Sequence, residues 1–264
     1  MTNKKKNILF IVCAYGFFWL AILLIGTIAV LLGEGIHIEI MAIMAAWTPT
    51  IALLVLFKRL YPETSLKDFY KNAFKERLNR LLLLVITILQ FLTLFGAVGI
   101  LSITQEVSFV SLLNLSVQTI VIGFFVRIVD GPMGEQSGWR GFLQPSLEKT
   151  YGIIKASILV GIVWGFWHAP LWFITGFTGI DLIQYIVAYM IGITSAAVII
   201  GVCYARCRNL FVPIWIHFMF NFTVQMFVGD FIAFMRWFVV LYVFVATCYI
   251  IWHNVRTKKE VRNK

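Results

Sequence analysis

Charge is scarce in this chain. Asp and Glu together number 12 in 264 residues, charged residues of both signs make up 13%, and the mean hydropathy is +0.90. A soluble domain covers its surface with roughly a quarter to a third charged side chains, so an ordinary water-exposed fold is excluded. Cysteine is also rare. Cys13, Cys203, Cys207 and Cys248 all lie in or beside apolar runs, which excludes the disulfide framework of small secreted domains. Cys203 and Cys207 share a helix face, where thiols pack as small apolar groups. Of the four histidines none belongs to an H-E-x-x-H pair, so the strong signature of a helical zinc site is missing. There is no visible inverted repeat of broken apolar segments, the mark of many secondary transporters.

What the chain has instead is apolar bulk. Hydrophobic residues make up 61%, with 24 Phe, in separated runs of the length that crosses about 30 Å of hydrocarbon. This predicts an all-α, polytopic membrane helix bundle of about eight transmembrane helices, with residues 1–264 as a single integral-membrane domain. The expected spans are Ile8–Leu32, Ile40–Phe57 bent at Pro49, Leu81–Ile103, Phe109–Val129, Ile153–Thr175, Leu182–Cys203, Val212–Val228 and Phe231–Trp252. The first run exceeds a signal peptide's apolar core and lacks a small-residue cleavage site, so a retained span is expected.

The net charge of +10 would suggest nucleic acid in a soluble protein. Here the basic residues cluster beside the spans, where they set topology and attract anionic lipid; no nucleic-acid partner is expected. With both termini cytoplasmic, all of the 22 basic residues except Arg236 fall on the inner side, as the positive-inside rule requires. Residues 58–80 form the one long polar connection. Its apolar positions Leu66, Phe69, Tyr70, Ala73, Phe74 and Leu78 recur at helical spacing, which predicts a basic amphipathic helix on the cytoplasmic membrane surface.

Against this background one stretch stands out: Gly134-Glu135-Gln136-Ser137-Gly138-Trp139-Arg140-Gly141-Phe142-Leu143, preceded by the helix-interrupting Asp130-Gly131-Pro132-Met133. Ionisable groups at membrane depth are expensive and usually face a bundle interior. Later segments add His168 and, one turn apart, His217 and Asn221. Helical spacing puts Gln136 on one face with Arg140, Glu135 with Trp139, and Trp164 with His168. A carboxylate, two imidazoles and a carboxamide are what a peptide hydrolase needs to deprotonate water, orient it and stabilise an oxyanion. Glu135 is the candidate general base, His168 the group that holds water or donates a proton, and His217 with Asn221 the oxyanion donors. Glu135, His168 and His217 also stand as candidate zinc ligands around an open fourth position. No third histidine or nearby thiolate reinforces that set, so a metal-free Glu135 is the preferred reading and the cofactor stays open between none and zinc. Gly161 and Gly165 offer a small-residue face for close helix approach. Trp139, Trp164, Trp167 and Trp172 are cavity-lining or interfacial aromatics.

The stretch 134–143, Trp164-Gly165-Phe166-Trp167-His168-Ala169-Pro170 and His217-Phe218-Met219-Phe220-Asn221 together resemble the three motifs of the CPBP family of intramembrane endopeptidases. This is the CAAX protease and bacteriocin-processing, or Abi, family, which includes the type II CAAX prenyl proteases. The resemblance covers about residues 130–225, the family-like catalytic core. It implies an eight-span bundle in a bacterial-type plasma membrane and a peptide or protein substrate at the membrane. It also implies that Glu135 activates water, with His168, His217 and Asn221 completing the site and Gln136, Arg140 and Trp164 supporting it. Peptide maturation and self-immunity to bacteriocins are the associated processes. Gln136 departs from the pattern, which has a second glutamate there. An i, i+4 Glu–Arg pair becomes a neutral Gln–Arg contact, and Arg140 is left to turn to Glu135 or to a substrate carboxylate. The alternatives to an endopeptidase are a catalytically reduced immunity or peptide-binding membrane protein and a proton-coupled transporter with Glu135 as carrier.

Overall fold

A computed structural model describes residues 1–262, with side chains to residue 260; the end of the basic tail, 263–264, lies outside the described residues. The elements are helical throughout: α1 (Asn3–Leu32), α2 (Ile36–Ala45), α3 (Thr48–Leu60), α4 (Leu66–Ala73), α5 (Arg80–Thr104), α6 (Gly123–Ile128), α7 (Gly134–Gly138), α8 (Gln144–Trp167), α9 (Ala169–Trp172), α10 (Gly179–Cys207), α11 (Phe211–Val224) and α12 (Phe231–Arg262). Among the described residues, the long apolar helices α1, α5, α10 and α12 and the continuous helical stretch Gln118–Trp167 make five candidate membrane crossings. The pair α2 and α3, bent by 43°, makes a sixth. Leu23, Val30, Leu84, Leu92 and Phe244 lie exposed on outward faces, as lipid-facing side chains do. The chain is an integral membrane protein.

By length and composition these helices give five or six candidates beside the expected eight, and two of the expected spans have other bounds. The run Phe109–Val129 is not helical from end to end: a short 3-10 turn and extended chain occupy residues 109–117, and the continuous helical stretch begins at Gln118. The run Val212–Val228 yields the 14-residue α11, about 21 Å long at 1.5 Å per residue. The two shortfalls have a common cause. Asn114 N–H donates to the Met226 carbonyl (2.8 Å) and Val228 N–H to that of Leu112 (2.9 Å), so apolar residues that composition assigns to helix are spent pairing two irregular segments. The predicted Ile153–Thr175 likewise stops at Trp167, followed by the short α9.

Other breaks fall where the sequence places them. Pro49 sits in the first turn of α3, where a residue without an N–H costs nothing, and the α2–α3 bend precedes it. Asp130 and Gly131 leave helical geometry, Gly131 at φ +100°, and Gly152 interrupts α8 at φ +72°. α10 runs through the centre of the bundle, packed on α8, α11 and α12. Its approach to α8 depends on missing side chains: a Cβ on Gly161 would fall 2.8 Å from Thr194 Cα, and one on Gly165 would fall 2.9 Å from Met190 Cε.

Within residues 58–80 only Leu66–Ala73 is helical after α3 ends. Ser65 caps α4 by accepting from Asp68 N–H (3.0 Å). Its apolar face packs inward, with Phe69 buried against Phe57 and Tyr61 (centroids 5.6 and 5.3 Å).

Candidate active site

The segment between α6 and α8 is held from below before any of its side chains is considered. Tyr61 donates to the Gly141 carbonyl (3.1 Å) and Tyr70 bonds Ser137 Oγ (3.3 Å). Burial, reinforced by Tyr204, raises the Tyr61 phenol to about 12, so its hydroxyl stays a donor. Gly138 and Gly134 let the segment lie directly on α2 and α3: added Cβ atoms would meet the Pro49 and Ala46 carbonyl oxygens at 2.7 and 3.0 Å.

Above it opens a cavity of about 640 Å³, lined by Glu135, Trp164, His168, His217, Asn221 and Tyr189 among others. Glu135 is 2% exposed. Its Oε2 accepts from the indole N–H groups of Trp139 (3.3 Å) and Trp164, which leaves Oε1 towards the cavity. Gly131 fixes the geometry on the other side. A Cβ there would lie 2.9 Å from Glu135 Oε1, 3.3 Å from His217 Cε1 and 3.6 Å from Asn221 Nδ2. Three of the four expected residues thus converge on one point, and the glycine is what leaves room for anything to occupy it.

The imidazoles are held differently. His168 Nδ1 lies 2.9 Å from the Trp164 carbonyl; a carbonyl only accepts, so Nδ1 carries the proton and Nε2 the lone pair in the neutral ring. The His168 ring packs edge-on against Trp167 and Tyr189 (4.5 and 5.6 Å). Trp164 stands between it and His217, 6.1 Å from one ring and 4.8 Å from the other. His217 is gripped at both nitrogens, Nδ1 by the Gln136 amide (2.9 Å) and Nε2 by the Asn221 amide (3.2 Å). A neutral imidazole has one N–H and one lone pair, so one amide donates to the ring and the other accepts from it.

Gln136 therefore does not pair with Arg140 as their i, i+4 spacing implies. The reason is tertiary: an imidazole from α11 offers the amide a partner that the guanidinium, turned the other way, does not. Arg140 is fully buried, lies over the Trp164 ring at 4.4 Å from its centroid, and finds no hydrogen-bond acceptor among the described residues. It neither bonds Glu135 nor lines the cavity.

The zinc alternative does not fit this donor set. Among the described residues no three His, Cys, Asp or Glu side chains are grouped as a metal site. Both His217 nitrogens are engaged by amides and one Glu135 oxygen by two indoles.

Sequence reasoning missed part of the wall. Arg127 bonds Asp130 (2.6 Å) and Gln225 (2.9 Å), and all three line the cavity. The signal was present in the spacing, since His217, Asn221 and Gln225 form one ladder of fourth residues on α11. Tyr189, from the middle of α10, carried no local signal.

The molecule is a helical membrane bundle that seats a buried carboxylate beside imidazole and carboxamide groups. Comparison with known proteins is more specific. Residues 117–223 match the family described as type II CAAX prenyl endopeptidase Rce1-like. The chain is also 26% identical over 205 residues to the CAAX prenyl protease 2 of Methanococcus maripaludis, covering 73% of this chain and 74% of that protein. By both findings the chain is similar to the CAAX prenyl proteases, and the stretch matched to the family carries Glu135, His168, His217 and Asn221.

Proposed function

We propose that this protein is an intramembrane endopeptidase that hydrolyses a membrane-associated peptide by carboxylate-activated water, and that Glu135 is its base. The observation that carries the reading is the convergence of Glu135 Oε1, the His217 ring edge and the Asn221 amide on the space beside Gly131. In this reading a water held between Glu135 Oε1 and His168 Nε2 attacks the scissile carbonyl carbon and gives one proton to Glu135. The carbonyl oxygen becomes an oxyanion opposite the Asn221 amide, which His217 holds in place and whose fixed dipole favours developing charge in a water-poor site. The C–N bond then breaks, the Glu135 proton passes to the leaving nitrogen, and a carboxylic acid and an amine depart. The two indole donors on Oε2 keep the carboxylate from rotating, so the free oxygen points one way.

Crowding of basic residues at one end of the bundle supports cytoplasmic termini. Peptide maturation and self-immunity to bacteriocins are the processes in which such a cleavage would serve.

One observation favours a second reading. Gln136 leaves Arg140 without a compensating carboxylate, which suits a relative that binds a peptide in the same cavity with reduced turnover.

Purified protein assayed with a quenched peptide library, beside Glu135→Ala and His168→Ala, decides between them. Cleavage by the wild type that is lost in both variants is expected. Equal cleavage by all three would refute the assignment, and peptide binding without cleavage by the wild type would favour the second reading.

A further inference from the structure

A second hollow lies at the end of the bundle where the basic residues collect, away from Glu135. It is a pocket of about 690 Å³ between the α4–α5 connection, the end of α10 and the end of α12. Four of its side chains are cationic, Lys75, Arg77, Arg206 and Arg256, against two carboxylates, Glu76 and Glu260. The surplus is therefore positive. Its walls are fixed. Asn209, itself buried, donates to the carbonyls of Phe74 (3.1 Å) and Glu76 (2.6 Å), which pins the stretch carrying Lys75 and Arg77. Arg206 is held by Glu260 (2.7 Å) and keeps a buried Nε without a partner among the described residues. Trp252 stands between two guanidinium groups, 5.4 Å from that of Arg206 and 5.7 Å from that of Arg256.

The pocket does not end there. Asn79, Leu82, Trp252 and Arg256 also line an apolar groove of about 420 Å³ that descends between α5 and α12 past Val85, Leu89 and Tyr249. Leu82 to Leu89 is two turns, about 10 Å of helix, against a leaflet hydrocarbon depth of about 15 Å. A cationic chamber with a tryptophan at its lip and an apolar channel running on from it matches one kind of molecule in shape and charge. Basic pockets between transmembrane helices hold anionic headgroups, and tryptophan sits where headgroup meets tail.

We propose that this feature is a binding site for an anionic phospholipid. The phosphate of the headgroup lies among Arg206, Arg256 and the Lys75–Arg77 stretch, and one acyl chain lies along Leu82, Val85 and Leu89. Free phosphate shares the headgroup chemistry, but it leaves the groove unfilled. The site is independent of the peptidase reading, because none of its residues lines the cavity of Glu135.

The test uses the purified full chain in detergent, loaded with phosphatidylglycerol or phosphatidylcholine of the same acyl chains and followed by native mass spectrometry. The wild type should retain phosphatidylglycerol in preference. A basic side chain near an anionic group contributes about fivefold, so Arg206→Gln with Arg256→Gln should erase roughly 30-fold of that preference. Val85→Trp, on the exposed rim of the groove, should lower phosphatidylglycerol retention with both arginines intact, and millimolar inorganic phosphate should not displace the lipid. Thermal melts check that each variant is folded. Equal retention of the two lipids by the wild type, unchanged retention in the double variant or in Val85→Trp, or displacement by phosphate overturns the proposal.

Discussion

The guanidinium of Arg140 lies over the Trp164 indole, 4.4 Å from the ring centroid, and no carboxylate among the described residues comes within ion-pair distance of it. The same indole donates to Glu135. Trp164 thus joins an unpaired buried cation on its face to a buried carboxylate at its edge. Stacking recovers part of what burial of the charge costs, about 2 kcal/mol for a desolvated cation–π pair, but leaves every N–H of the guanidinium unanswered.

Supplying a carboxylate at 136 should therefore help. Gln136→Glu is expected to raise the unfolding midpoint and to increase turnover, since the new carboxylate answers Arg140 and can accept from His217 in the tautomer that carries its proton on Nδ1. In an Arg140→Met background the same change should lower the midpoint, because the carboxylate is then buried alone. A double-mutant cycle should give a coupling of about 1–3 kcal/mol. Additive effects would show that residues 136 and 140 do not sense one another.

Trp164→Phe separates the face from the edge. Phenylalanine keeps an aromatic surface beneath Arg140 and removes the N–H on Glu135 Oε2. A hydrogen bond to a charged group contributes about 1.5–3 kcal/mol, so kcat should fall roughly 10- to 100-fold with little change in KM or melting temperature. An unchanged kcat would mean that the indole N–H does not orient the carboxylate.

Gly131→Ala is a small change with two penalties. Its φ of +100° disfavours any Cβ, and the methyl would press on Glu135 Oε1 at 2.9 Å. Stability should drop by about 1 kcal/mol or more. Activity should drop much further than the melting curve alone explains, measured at a temperature where the variant is folded. Near-wild-type turnover would remove the space beside Gly131 from the reaction.

Metal analysis provides an independent check. With both His217 nitrogens held by amides, cleavage should survive dialysis against a strong chelator. Elemental analysis should find less than stoichiometric zinc in active protein. Stoichiometric zinc, with activity lost on its removal and restored on its return, would overturn the metal-free reading.

Much of this arrangement can be read from the chain before any coordinates. The Asp130–Gly134 interruption, the His217–Asn221 repeat and the polar stretch at Glu135 are short-range patterns, and helical spacing is enough to aim them inward. The Gly161–Gly165 face is equally local, and α8 meets α10 there. The partner of Gln136 could not be read in this way. Spacing puts it on the face of Arg140, but the choice of rotamer belonged to an imidazole 81 residues away. The bounds of two expected spans could not be read for a related reason. Residues 109–117 and 226–228 carry enough apolar side chains to extend the flanking runs, and hydropathy does not register that Asn114 and Val228 turn their backbone N–H groups to a partner segment instead of a helix. Phe69 and its neighbours on α4 show a further ambiguity, with an amphipathic face that meets aromatic side chains of the bundle.

The shortness of α11 has a bearing on the membrane itself. A rod of about 21 Å cannot by itself bridge about 30 Å of oil, so on that flank either the bilayer dips or the polypeptide fills the difference. The strips 112–114 and 226–228 meet just past the C-terminal end of α11, and two backbone hydrogen bonds between them satisfy polar groups that oil could not.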